Sequence, residues 1–283
     1  MLNLLNSDQT RLADEVTLQN RNIPSVELME SAANAFVSIF ISYYSFRDFP
    51  ISIYCGTGNN GGDGLAIARI LKEHGYDRLS VNIARFSSNT SLDFESNLQK
   101  LNLSGIKIKD VLEGESPGEE EARILIDALL GSGLNRPLDG EFKRLVEYLN
   151  QLNKTIVSVD VPTGFPSEGL INKESTIIKA DLVISFQRPK INFFMPESAP
   201  FITRFRFATI GLDEEFIEAQ NSGWKLVESE DIRKIIKPRH TFSHKGTYGH
   251  ALIIAGSAET MGAALLCADA CLHSGSGLTT ACI

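Results

Sequence analysis

The sequence predicts an α/β fold in which a mainly parallel sheet carries helices on both faces. Short apolar runs alternate with amphipathic segments along most of the chain, and successive runs are far enough apart for a crossover helix between them. Three of the runs also end in turns rich in glycine or aspartate, as strands opening βαβ units do.

In chain order, a helix is expected over 7–19. Val26, Leu28, Met29, Ala32, Ala33, Phe36, Val37, Ile39 and Phe40 recur at three- and four-residue spacing and predict a second helix over 25–42. Pro24 stands near its first turn, and Glu27 and Glu30 lie early, where the helix dipole favours acid. Phe36, Ile39 and Phe40 suit either a core or a homodimer interface, and core is the preferred reading. The run 51–55 then reads as a strand, 56–64 (GTGNNGGDG) as a glycine-rich turn, and 65–74 as a helix. Strands follow at 79–84, 106–108, 123–129, 155–159, 182–186 and 205–210, with helices over 91–101 and 139–152 between them.

Composition narrows the class. With 43% apolar and 22% charged residues the chain can bury a conventional core, which excludes disorder throughout. A net charge of −8 lacks the broad basic footprint of a nucleic-acid binder. Cys55, Cys267, Cys271 and Cys282 form no Cys-x-x-Cys pair and read as buried reduced thiols. The opening MLNLLNSDQTRLADE lacks the basic and apolar regions of a signal peptide. The longest apolar stretch, 35–44, is interrupted by Ser38 and Ser42 and falls short of the roughly 20 residues a bilayer requires. A cytoplasmic protein that binds neither membrane nor nucleic acid is expected.

The apolar rhythm breaks near 220–239, which suggests domains over 1–222 and 223–283. The second holds a strand at 251–255, a turn at Gly256-Ser257 and an Ala-rich helix over 262–272. About sixty residues so arranged cannot enclose an independent α/β core, so an incomplete domain is expected.

Ligands of open parallel sheets sit beyond the carboxyl ends of the strands, so the turns at 56–64, 131–137 and 160–164 can meet at one crevice. The glycine-rich turn lets backbone N–H groups approach a phosphate, although it is neither a Walker A sequence nor a G-x-G-x-x-G opening. Asp127 and Asp160 end their strands, and with Asn60 and Thr163 they supply oxygen donors for a hard cation, a monovalent one in preference to magnesium. Arg136 could hold a phosphate or a ribose. His74 is expected on a helix surface and the other histidines lie beyond 239, so no nucleophilic triad is supported. Acid–base work falls to a carboxylate, Asp160 in preference to Asp127; Asp63 is the substitute, otherwise read as fixing the glycine loop.

At these residues the sequence resembles the NAD(P)H-hydrate epimerase family, also called the YjeF N-terminal domain, over about 3–220. The segments that carry the resemblance are 10–14, SVELMESAA (25–33), GTGNNGGDGL (56–65), DALLGSGLNRPLDG (127–140), SVDVPTG (158–164) and ADLVISFQRPK (180–190), followed by Ile210-Gly211-Leu212. It implies a three-layer Rossmann-like domain that interconverts the R and S hydrates of NADH and NADPH. It further implies that Asn59, Asn60, Gly61, Gly62, Asp63, Gly131, Ser132, Gly133, Leu134, Asn135, Arg136, Pro137 and Asp160 contact this small-molecule substrate. Asn60, Asp127 and Thr163 would hold a potassium ion, and Asp160 would lie at the reacting group as the catalytic residue. HKGTYGHALIIAGS (244–257) and MGAALLCADACLHSGSGL (261–278) resemble the start of the ADP- or ATP-dependent NAD(P)H-hydrate dehydratase, so that 223–283 is expected to be an incomplete ribokinase-like α/β segment. A bifunctional parent protein is implied, with no dehydratase activity from this chain. The alternative is a non-catalytic nucleotide-binding or RNA-associated interaction module on the same fold.

Overall fold

The computed structural model describes residues 1–283 except 116–117, 134–135 and 173. The chain forms two compact units, Met1–Leu226 and Val227–Ile283.

The first unit opens with β1 (Leu2–Leu4), α1 (Ser7–Arg21) and α2 (Ser25–Tyr43). Asn6 starts α1 with a capping box in which its side chain accepts from the Gln9 amide and the Gln9 side chain accepts from its own. Then come β2 (Ile51–Cys55), α3 (Asn59–Glu73), β3 (Leu79–Ala84), α4 (Leu92–Asn102), β4 (Lys107–Val111), β5 (Ile124–Ala128), α5 (Gly140–Gln151), β6 (Thr155–Val159), β7 (Leu182–Phe186), β8 (Phe205–Ala208), α6 (Glu214–Ala219) and β9 (Trp224–Leu226). Seven strands pair in the order β4-β3-β2-β5-β6-β7-β8, all parallel.

Side-chain alternation sorts the strands between two cores. Ile124, Ile126 and Ala128 face one side with α2, α3 and α4, where Phe36 and Phe40 are fully buried. Leu125 and Leu129 face the other with α5, Phe165, Phe193 and Phe201. Helices on both faces make three layers, the expected Rossmann-like architecture. They also account for β2 and β5 being buried at every residue, on both sides of the sheet. Phe36 and Phe40 belong to the core, each stabilising it by about 1.5–3 kcal/mol.

Three features depart from expectation. β1 and β9 pair antiparallel with each other, Leu2 opposite Leu226, and this pairing carries the first unit four residues past the 222 limit. The 106–108 strand runs later, over Lys107–Val111. Most consequential, α3 starts at Asn59 and not at 65, so Gly61, Gly62 and Gly64 form its first turns. Glycine is a poor helix former, and tertiary contact overrides that preference here. A Cβ on Gly61 would sit 1.9 Å from the Gly56 carbonyl oxygen, and one on Gly56 would sit 2.0 Å from that of Leu129. Bare backbone is what lets α3 lie directly on the ends of β2 and β5.

The second unit contains α7 (Ser229–Ile235) and a βαβ arrangement of β10 (His250–Ile254), α8 (Met261–His273) and β11 (Leu278–Cys282), with β10 and β11 parallel. Cys55 of the first unit is buried as expected, but Cys267 and Cys282 are exposed and Cys271 is half-buried. The reason is structural: one helix over a two-stranded sheet leaves the remaining faces of both uncovered among the described residues.

Gly61→Ala is expected to cost more than about 3 kcal/mol, because a backbone oxygen cannot move aside. Gly58→Ala, whose Cβ would meet nothing within 4 Å, is expected to stay within about 1 kcal/mol. Urea unfolding of both variants checks the contrast, and equal losses would refute the packing account.

Candidate active site

The sheet order reverses between β2 and β5: β2, β3 and β4 extend one way, and β5 through β8 the other. At such a switch point the two connections leave in opposite directions and open a crevice beyond the strand ends. All three expected turns border it.

The first turn reaches the second through backbone. The Gly56 amide donates to the Ala128 carbonyl at 3.0 Å, and Gly131 packs on Asn60, where an added Cβ would come within 3.3 Å of the Asn60 Cβ. The N-cap of α3, Gly58, supplies no side-chain cap, and no acidic residue occupies the first turn. The leading amides of α3 are therefore uncapped by side chains at the positive end of a helix, where an anion is favoured. Thr57 and Ser91 tie this turn to the 85–91 loop: the Thr57 hydroxyl donates to the Asn89 carbonyl at 2.8 Å, and the Ser91 amide donates to the Thr57 carbonyl.

The second and third turns are joined by Asp127, which is 1% exposed. Its Oδ1 accepts from the Thr163 hydroxyl at 2.6 Å and the Leu129 amide at 3.3 Å. Its Oδ2 accepts from the Ser158 hydroxyl at 2.8 Å and the Thr163 amide at 2.9 Å. Burial pushes this carboxyl up from its ordinary pKa, and the four hydrogen bonds pull against that shift. The Asn60 side chain lies against Gly131 of the second turn, and its Nδ2 is buried with no partner among the described residues. Asp127 and Thr163 are thus joined directly, and Asn60 meets the second turn at Gly131. Among the described residues no group of three or more His, Cys, Asp or Glu could hold a metal.

Asp160 directly follows β6 and lies in the left-handed region, at φ 62°. Aspartate tolerates that conformation better than most residues, and backbone strain of this sort collects at functional sites. Its carboxylate faces β7, accepting from the Ser185 hydroxyl at 2.9 Å and lying 2.8 Å from the Lys190 ammonium. Asp14 of α1 and Asp63 of α3 share this electrostatic neighbourhood. Burial raises Asp63 well above the usual carboxylate range, and the charges of Asp160, Asp93 and Asp14 add to the shift. Burial likewise pushes Asp14 up to about 6, with Lys190 opposing and Asp160 reinforcing. No side-chain hydrogen bond from Asp63 to the glycine loop is present among the described residues, where backbone packing of Gly56 and Gly61 holds the turn.

Of the other anticipated contacts, Asn59, Gly133, Arg136 and Pro137 are exposed, and Gly131 and Ser132 are half-buried. Leu134 and Asn135 lie outside the described residues. Sequence reasoning assigned no role to Lys190, Ser185 or Asp14. Lys190 and Asp14 stand in segments that carried the family resemblance, and a lysine following a strand and a proline was the available signal.

The folded chain holds the Asp14 proton up to about pH 6, whereas an unfolded aspartate releases it near 3.8. The native state therefore binds the extra proton between those values, and its stability falls as pH rises through that window. Asp14→Asn is expected to be more stable than the parent at pH 7, by on the order of 1–2 kcal/mol, with the difference closing toward pH 4. Urea unfolding at the two pH values tests this; a gap independent of pH would contradict it.

The family model of the YjeF-related protein N-terminus matches residues 25–192. Bifunctional NAD(P)H-hydrate repair enzymes Nnr are similar along nearly the whole chain. That of Dictyoglomus turgidum is 30% identical over 284 residues, covering 98% of this chain and 54% of the relative. That of Escherichia coli is 28% identical over 275 residues, covering 96% and 52%. The chain spans about half the length of the curated relatives it matches. Among solved structures, the crystal structure of yeast YNL200c aligns with a TM-score of 0.64 at 22% identity, over 81% of this chain and 98% of that one, a likeness of fold. With the family model covering more than half of the chain, and the crevice formed by the segments it spans, this chain belongs to the family of the YjeF-related protein N-terminus.

Proposed function

We propose that Met1–Leu226 epimerises the R and S hydrates of NADH and NADPH, which carry a hydroxyl at C6 of the nicotinamide ring, and supplies the S form to a dehydratase. The observation that carries this reading is the meeting of three turns at one switch-point crevice, with uncapped helix amides suited to a diphosphate in the first and Asp160, on strained backbone, in the third. The names of the relatives, NAD(P)H-hydrate repair enzymes, support the substrate class.

Epimerisation at C6 needs neither oxidant nor reductant. Donation from the ring nitrogen expels the hydroxyl as Asp160 protonates it, leaving a planar iminium to which water returns from either face. One carboxyl serves as acid in one direction and base in the other. Asn59–Asp63 and Gly131–Pro137 are the segments assigned to substrate contact, with Arg136 available to a phosphate or ribose.

Potassium is the ion assigned to Asn60, Asp127 and Thr163. When bound, it supplies fixed positive charge beside an anionic substrate. The all-oxygen donor set fits it, with the Asn60 side-chain oxygen as its contribution to that set. To Val227–Ile283 this reading assigns no dehydration step. Among the described residues no helix is long and apolar enough to cross a membrane.

Asp160→Asn is expected to reduce epimer exchange by at least about 100-fold, with substrate affinity within about threefold of the parent. The check starts from one separated hydrate epimer and follows its partner by chromatography; full turnover by the variant would overturn the role of Asp160. Replacing potassium chloride by tetramethylammonium chloride at equal ionic strength is expected to slow exchange several-fold. Equal rates in the two salts would remove the ion assignment.

A further inference from the structure

The two carboxylate oxygens of Asp160 stand in unequal surroundings. Oδ1 accepts from the Ser185 hydroxyl at 2.9 Å and from the Phe186 amide at 3.3 Å, and the Lys190 ammonium lies 2.8 Å from the same atom. Among the described residues no group donates to Oδ2. The donors all come from the end of β7 and the turn after it, while Asp160 directly follows the adjacent β6. Neighbouring parallel strands thus fix the carboxylate from one side.

Both donor side chains are buried, Ser185 at 0% and Lys190 at 5% exposure. Lysine is seldom buried, because its ammonium loses water that only paired charge and hydrogen bonds replace. Here the charge is directed at Asp160, with Asp14 also within electrostatic reach. Lys190 is no solvated surface lysine, and the expected ligand contacts do not include it.

We propose that Lys190 is a positioning residue which, with Ser185, saturates Oδ1 of Asp160 and so makes Oδ2 the atom that exchanges a proton at the site. This rests on the epimerase reading above. The proton held on Oδ2 passes to the departing hydroxyl as the C6–O bond breaks, and the ring nitrogen lone pair forms the C=N bond. On return, the oxygen of water forms the new C6–O bond, the C=N pair goes back to nitrogen, and the proton released returns to Oδ2. Lys190 keeps its own proton throughout. Without the ammonium the carboxylate can rotate about its Cβ–Cγ bond, and either oxygen can face the crevice.

The test compares Lys190→Met, Lys190→Arg and Ser185→Ala in the full chain, with kcat and KM for epimer exchange measured separately. Lys190→Met is expected to lower kcat roughly 10–100-fold with KM within about threefold, since a misplaced acid costs turnover more than binding. Lys190→Arg is expected to fall between the parent and Lys190→Met. Ser185→Ala leaves the ion pair in place, is expected to lose several-fold in kcat, and carries the test should Lys190→Met fail to fold. A purely structural role would lower the amount of folded protein and leave kcat per folded molecule unchanged; that result, or a loss confined to KM, overturns the proposal. If the parent chain exchanges no epimers, the epimerase reading falls and takes this inference with it. Exchange by the parent with unchanged kcat in the variants overturns the positioning role alone.

Discussion

One buried carboxylate, Asp127, connects the parts of the crevice. Its four hydrogen bonds reach along β5 to Leu129, across to β6 at Ser158, and into the following turn at both the amide and the hydroxyl of Thr163. A charge so enclosed is tolerable because nearly every lone pair is used, and deleting any one partner leaves a polar group with no water to replace it. Two turns more than thirty residues apart in sequence are thereby locked to each other. The glycine contacts lock the third, since Gly61 rests on Gly56 and Gly56 on Leu129 with no room for a side chain. The position of Asp160, three residues before Thr163 in the same turn, inherits its precision from that lock.

Around Asp160 the fold accepts an electrostatic conflict. Asp14, Asp63 and Asp93 come from three different helices, α1, α3 and α4; the charges of Asp160, Asp93 and Asp14 raise the proton affinity of Asp63, that of Asp160 raises Asp14's, and Lys190 opposes the shift of Asp14. A core designed for stability would not gather acids in this way. Such arrangements persist where the rest of the structure over-determines the geometry, and the seven-stranded sheet with a core on each face does so here.

Much of this was legible in the chain. Periodicity locates β2, β3, β6 and β7 with their bounds, and α2 and α5 within a residue at each end, because long apolar faces and strands buried on both sides leave strong local patterns. Asp127, Thr163 and Asn60 could be nominated because they stand at strand and turn ends. What stayed hidden depends on distant partners. Leu2–Leu4 and Trp224–Leu226 are three-residue strands whose pairing spans almost the entire first unit, and neither carries a period of its own. The start of α3 was misjudged because glycine propensity argues against a helix that only backbone packing makes favourable. Lys190 stays hidden because composition presents lysine as a surface residue, and nothing local reveals that Asp160 lies beside it at the end of the neighbouring strand.

The pairing of β1 with β9 brings the first and last strands of the larger unit side by side, Leu2 against Leu226, at a distance a few residues can bridge. The polypeptide of that unit is in effect a nearly closed ring. A circular permutant that joins position 226 to position 2 through a short linker and reopens in an exposed surface loop keeps the switch-point crevice as one continuous piece of architecture. The same closeness of ends lets a further domain be spliced in at this corner without passing through either core.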